Sequence, residues 1–137
     1  MSAEIALLDT NVLIAFREPG EEPADLSGFE DLRVSSLSLA ELGKGLHAAG
    51  DLATYRLRSE RLRWTRATFG EGVPFDDRCA DAYEHLLLEL ANKGRPVRSQ
   101  MLDRMLAATA LAHGMTLVTR DLRVFADLSD HVRILQR

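Results

Sequence analysis

The chain is poor in the residues that staple or anchor a protein. Cys79 is its only cysteine, so no disulfide can form within it, which fits a reducing compartment. The four histidines, His47, His85, His113 and His131, are scattered, and no His-Glu-x-x-His motif occurs. The linear sequence therefore offers no imidazole or thiolate metal centre. No apolar run approaches the roughly 20 residues that cross a bilayer. The first residues include Glu4 and lack a basic n-region, so no secretory leader is expected, no membrane partner, and a cytoplasmic location. Lysine is nearly missing, with Lys44 and Lys93 the only two.

At 137 residues, 46% hydrophobic and 28% charged, the composition is that of a soluble globular protein. One domain spanning 1–137 is expected, burying roughly two-thirds of its unfolded surface. A net charge of −4 argues at first against a nucleic-acid partner. Almost every basic residue is Arg, however, whose planar fork binds two phosphate oxygens at once. Several of the acids are also candidates to hold a cation. Overall charge does not decide the partner.

Ile5 to Leu8 reads as a short buried strand ended by Asp9-Thr10-Asn11, and Val12 to Phe16 as a helix stopping before Pro19-Gly20. Residues 19–30 read as an acidic loop, Arg33 to Ser35 as a second strand, and Ser38 to Ala49 as a helix with Gly50 its stop signal. Asp51 to Phe69 is a longer helix and Gly72 to Phe75 a third strand. Asp76 or Asp77 caps an amphipathic helix reaching Asn92, on which Cys79, Tyr83, Leu86, Leu87 and Leu90 share a core face. Lys93-Gly94-Arg95-Pro96 breaks it. Gln100 to His113 is the next helix, closed by a left-handed Gly114. Met115 to Thr119 and Val132 to Leu135 are the last strands. Strands separated by helices predict an α/β fold with parallel pairing and right-handed crossovers.

Asp9, Glu41, Asp103 and Asp121 each stand where one of these elements begins or ends. Leu7-Leu8-Asp9-Thr10-Asn11 and Leu117-Val118-Thr119-Arg120-Asp121 share a pattern: an apolar strand runs out and a carboxylate stands at the turn beside a threonine. In open parallel sheets ligands bind beyond the carboxyl ends of the strands. Each acid also has an ordinary use. Asp9 would cap a helix, contributing about 1 kcal/mol, although Thr10 or Asn11 would cap it equally well. Ser38-Leu39-Ala40-Glu41 has the spacing of a capping box. Asp103 sits in a helix so apolar that most of its circumference must be buried, where it would pair with Arg104 or favour the positive helix end. Ala107 and Ala108 let that helix approach the sheet closely, and an acid on a buried helix needs a dedicated partner. Asp121 would be a turn acid, unless its strand lies beside the first and sets Asp9 and Asp121 on two lips of one crevice.

Clustered carboxylates raise one another's pKa values. A hard divalent cation relieves that repulsion and takes oxygen ligands octahedrally, as Mg²⁺ or Mn²⁺ does. Such a site can activate water and steady a phosphoryl transition state.

The chain resembles the PIN-domain ribonucleases, and specifically the VapC toxins of type II toxin–antitoxin modules. The likeness rests on Leu8-Asp9-Thr10-Asn11-Val12-Leu13-Ile14, on Ser35-Ser36-Leu37-Ser38-Leu39-Ala40-Glu41-Leu42, on Asp103 to Ala110, and on Gly114 to Asp121, in that order. It implies a three-layer α/β/α sandwich and Mg²⁺- or Mn²⁺-dependent endoribonuclease activity. It makes Asp9, Glu41, Asp103 and Asp121 the acidic quartet, with Asp9 and Asp103 as metal ligands and Glu41 and Asp121 acting through water or a second metal. Thr119 and Asn11 would brace the site. It also implies a VapB-like antitoxin and a homodimer. Val124 departs from the family, which often carries an acid before the residue aligned with Phe125.

Arg56, Arg63 and Arg66 share a helical face that would track RNA phosphates, or else a solvated or dimer-facing surface; Arg95 and Arg98 precede Asp103 and are further candidates. A haloacid-dehalogenase-type phosphatase would need an acid where Asn11 stands and a late Lys, and a receiver-like regulatory domain needs that Lys too; none follows Lys93. A stand-alone RNA-processing or DNA-directed nuclease of the same superfamily is the nearer alternative.

Overall fold

The computed structural model describes residues 4–137, so the first three residues of the expected domain lie outside the described residues. In chain order the elements are β1 (Ile5–Leu8), α1 (Thr10–Arg17), β2 (Asp31–Val34), α2 (Ser36–His47), α3 (Leu52–Phe69), α4 (Asp77–Asn92), α5 (Met101–His113), β3 (Thr116–Thr119), a 3-10 helix (Leu122–Leu128) and β4 (Ile134–Gln136). The strands form one parallel sheet in the order β2-β1-β3-β4. Leu8 pairs with Val34 on one side and Val118 on the other, so β1 is central and all strands end at the same edge.

Strand alternation sorts the core into two layers. Leu7 and Leu117 face α4 and α5, packing with Leu86, Leu90, Leu106, Ala107, Ala110 and the 3-10 residues Phe125 and Leu128. Ala6, Leu8 and Val118 face the other way, onto Val12 and Leu13 of α1 and Leu39 and Leu42 of α2. The result is a three-layer α/β/α sandwich. Ala107, Ala108 and Ala110 are fully buried, the close approach their small side chains permit. Helix α3 buries only Arg61 and Thr65. It is held by Trp64, which packs between Phe16 and Phe69 at centroid distances of 5.4 and 5.8 Å, and by an ion pair from Arg61 to Glu18.

Several expectations need correction. Gly72 to Phe75 is not a strand: Val73 makes a single parallel bridge to Ser35, and the partner chain turns into α2 at Ser36, so the ladder has nothing further to pair with. Its chain still runs close to α2, where a Cβ on Gly72 would come within 2.7 Å of the Ser36 amide nitrogen. Helix α2 starts two residues earlier than expected and ends at His47, capped by Ala48 rather than stopped by Gly50. The 3-10 helix after Asp121 was not foreseen. Gly114 does close α5 in the left-handed conformation, with φ 65°.

Candidate active site

Asp9 leaves β1 at the carboxyl edge of the sheet with extended backbone, its amide bonded to Val118 O at 2.8 Å. Its side chain does serve as the N-cap of α1, the role Thr10 or Asn11 was equally suited to fill: Oδ1 accepts from the Thr10 amide at 2.7 Å. Capping occupies one oxygen only. Oδ2 accepts from the Thr119 hydroxyl at 2.9 Å, across the β1–β3 seam. Thr119 is itself fully buried and takes hydrogen bonds from Asn11 Nδ2 at 3.3 Å and the Asp121 amide at 3.1 Å. Asn11 Oδ1 closes the turn by accepting from the Arg120 amide at 3.1 Å. Thr119 thus braces Asp9 from the neighbouring strand, and Asn11, on α1, holds Thr119 in turn.

Glu41 is not part of a capping box. Ser35 caps α2 by accepting from the Leu37 amide at 3.0 Å, which puts Glu41 in the helix's second turn, too far along to reach back. It instead accepts from the Thr10 hydroxyl at 2.6 Å, so the residue after Asp9 carries Glu41 to the same edge. Asp103 lies in the first turn of α5 and is half-buried. An inert Asp103–Arg104 pair, one ordinary use open to Asp103, does not form, since buried Arg104 donates to Pro96 O at 2.7 Å. Asp121 caps the 3-10 helix and receives Nε and Nη2 of Arg123 at 3.0 and 3.2 Å. Arg123 was not singled out from sequence, where its position two residues after an acid was the only signal.

Asp9 and Asp103 feel the charges of their neighbours. Burial pushes Asp9 from 3.8 to about 6, against its hydrogen bonds from Thr119 and Thr10, and the charges of Asp103 and Glu41 add to the rise. Asp103 is likewise raised, by burial first and then by Glu41 and Asp121. Asp121 is lowered, chiefly by Arg123. Among the described residues no three of these carboxylates offer oxygens all within 4.8 Å of one another. Thr10 holds Glu41, and Arg123 holds Asp121. The donors are all carboxylate oxygens, and the cost of burying Asp9 and Asp103, with the added charge of their neighbours, is what a hard divalent cation offsets, so the residues fit such an ion.

Beside this edge a cavity of about 650 Å³ is lined by Thr10, Glu41, Glu18, Arg58 and Arg61 among others. Arg58 and Arg61 went unnoticed in the sequence because their faces were not separable from the rest of α3. Arg56, Arg63 and Arg66 are exposed on α3, and none of them lines that cavity. Arg98 is exposed, and Arg95 approaches Asp127 at 3.5 Å.

Comparison with known proteins agrees with this arrangement. The family model described as PIN domain matches residues 6–130. VapC ribonuclease Y4jK of Sinorhizobium fredii is 33% identical, over 87% of this chain and 89% of its own length. Ribonuclease VapC4 of Mycobacterium tuberculosis is 32% identical, over 88% and 89%. Among solved structures, VapBC-5 of Mycobacterium tuberculosis, described as a member of the VapBC family of toxin-antitoxin systems, superposes with a TM-score of 0.76 at 27% identity, covering 96% of each chain. FitAcB of Neisseria gonorrhoeae gives 0.77 at 28%, covering 95% of this chain and 96% of its own. A parallel sheet with its acids gathered at the carboxyl edge, matched over nearly its whole length by these proteins, makes the chain a member of the PIN domain family, among the VapC ribonucleases.

Proposed function

We propose that the protein is a metal-dependent endoribonuclease, the toxin of a type II toxin–antitoxin pair, acting in the cytoplasm as a single PIN domain over 1–137. The observation that carries this reading is the placing of Asp9, Glu41, Asp103 and Asp121 at one sheet edge, where burial first and neighbouring carboxylate charge second raise Asp9 to about 6 and also raise Asp103. Asp9 and Asp103 would hold Mg²⁺ or Mn²⁺. Such an ion supplies Lewis-acid polarisation of a phosphoryl oxygen and a more acidic water. Glu41 or Asp121 would accept the proton of the attacking water, each first leaving its present partner, Thr10 or Arg123. Thr119 and Asn11 fix the Asp9 carboxylate so that it need not reorganise on binding.

RNA is read best where single strands splay their bases. Exposed Arg56, Arg63, Arg66 and Arg98 would meet its phosphates, with Arg95 less available because of Asp127. A VapB-like antitoxin would mask the acidic edge, in keeping with the toxin–antitoxin description of the VapBC-5 structure, and a homodimer is the expected assembly.

Cleavage of a structured RNA, with and without EDTA, by wild type and Asp9→Asn tests the reading. Cutting should require metal and vanish in the variant. Equal cutting by both proteins, or indifference to chelator, would overturn it.

A further inference from the structure

Asp76, Cys79 and His113 bring three different ligand atoms to within 4.8 Å of one another, in a place no RNA-cleaving role touches. Sequence spacing gives no hint of this, since His113 lies at the far end of another helix. The packing of α4 on α5 makes the meeting, bringing the start of one to the end of the other. Asp76 caps α4 with Oδ1, which accepts from the Cys79 amide at 3.1 Å. Its Oδ2 is left facing His113 Nε2 at 4.0 Å. The Cys79 thiol is wholly buried and donates to Pro74 O at a loose 3.6 Å. His113 Nε2 is shielded from solvent and has no hydrogen-bond partner. A buried imidazole nitrogen without a partner is unfavourable unless something is meant to fill the gap.

We propose that Asp76, Cys79 and His113 form a second metal site, selective for Zn²⁺, at the pole of the sheet opposite the acidic quartet. One thiolate, one imidazole and one carboxylate are the donors that Zn²⁺ takes in tetrahedral sites, with the fourth position open to water. Mg²⁺ prefers oxygen alone, so the two sites sort their metals by chemistry. On binding, the Cys79 proton passes to solvent, the contact with Pro74 is given up, and the neutral Nε2 contributes its lone pair. The ligand atoms draw inward to zinc distances of roughly 2.0–2.3 Å. The ion pins the start of α4 to the end of α5, whose other end carries Asp103. Its role is structural and does not depend on the nuclease reading.

Co²⁺ substitution tests this on the full chain. Because Cys79 is the sole cysteine, a thiolate-to-cobalt charge-transfer band reports this residue alone. Wild type should show the band, saturating at one equivalent and bleached by Zn²⁺, and Zn²⁺ should raise Tm. Asp9→Asn should keep both. Cys79→Ala and His113→Gln, each made in the Asp9→Asn background so that the acidic quartet adds no metal-linked Tm rise of its own, should lose both, with circular dichroism confirming their fold. Asp76→Asn keeps the helix cap and should weaken Co²⁺ binding at least tenfold. Absence of the band in wild type at saturating Co²⁺ overturns the proposal whatever the variants do, as does a Zn²⁺-induced Tm rise that survives in both Cys79→Ala and His113→Gln in the Asp9→Asn background.

Discussion

The Thr119 hydroxyl donates to Asp9 Oδ2 at 2.9 Å while accepting from the Asp121 amide and from Asn11 Nδ2. One buried oxygen therefore ties the ends of β1 and β3 together and fixes the carboxylate at their seam. Thr119→Val keeps the shape and removes the hydroxyl, leaving two donors and one charged acceptor unsatisfied. The expected loss is about 1–3 kcal/mol, read as a lower urea midpoint at unchanged slope. Thr119→Ser should restore most of it. A Val variant as stable as wild type would show the hub to be incidental.

Asp9 makes the stability of the metal-free protein depend on pH in a definite direction. Its folded pKa of about 6 lies above its ordinary 3.8, so folding favours the protonated form. The associated stabilisation is fully present below the ordinary value and is lost as pH rises through about 6. Asp9→Asn removes the charge and keeps a good N-cap. In EDTA at pH 8 it should be more stable than wild type by about 2–3 kcal/mol. That difference should shrink to near zero in acid. Paired denaturant melts across this range check it, and a variant less stable than wild type at pH 8 would contradict the burial argument.

Arg123 competes with any cation for Asp121. Its guanidinium holds both carboxylate oxygens in an exposed pair, and that contact chiefly lowers the Asp121 pKa. Arg123→Gln should release Asp121 toward the quartet. Half-maximal cleavage should then need less Mg²⁺, by roughly two- to five-fold, the scale of a surface ion pair. A metal titration of the initial rate decides it, and a higher Mg²⁺ requirement would mean that Arg123 serves substrate instead.

Much of this site was legible because strand ends announce themselves. Apolar runs stopping at Asp9 and before Asp121 located the carboxyl edge, and β1 pairs in parallel with β3 as expected, which puts both strand ends on that edge. Glu41 was harder to read, since Ser38 made it look like a capping partner and only the helix start at Ser36 removes that use. What stayed hidden depends on contacts between elements. The Thr10–Glu41 bond and the meeting of His113 with Cys79 follow from packing, and no local spacing encodes them. Gly72 to Phe75 failed as a strand because its partner chain enters α2 at Ser36, directly after the single bridge at Ser35.

The arginines give the last prediction, since they differ in what already holds them. Arg56, Arg63 and Arg66 are exposed on α3, and among the described residues none pairs with an acid, whereas Arg95 lies against Asp127. An arginine free to meet phosphate releases counterions on binding, contributing about 0.7 to the slope of log affinity against log salt for single strands. Replacing Arg56, Arg63 and Arg66 together by Gln should flatten that slope by up to about 2 and weaken unrelated RNAs alike, because phosphate contacts carry no sequence information. Arg95→Gln should leave the slope nearly unchanged. The measurement uses the Asp9→Asn protein, so that RNA is bound without being cut, and a triple variant with the wild-type slope would assign that face of α3 to another partner.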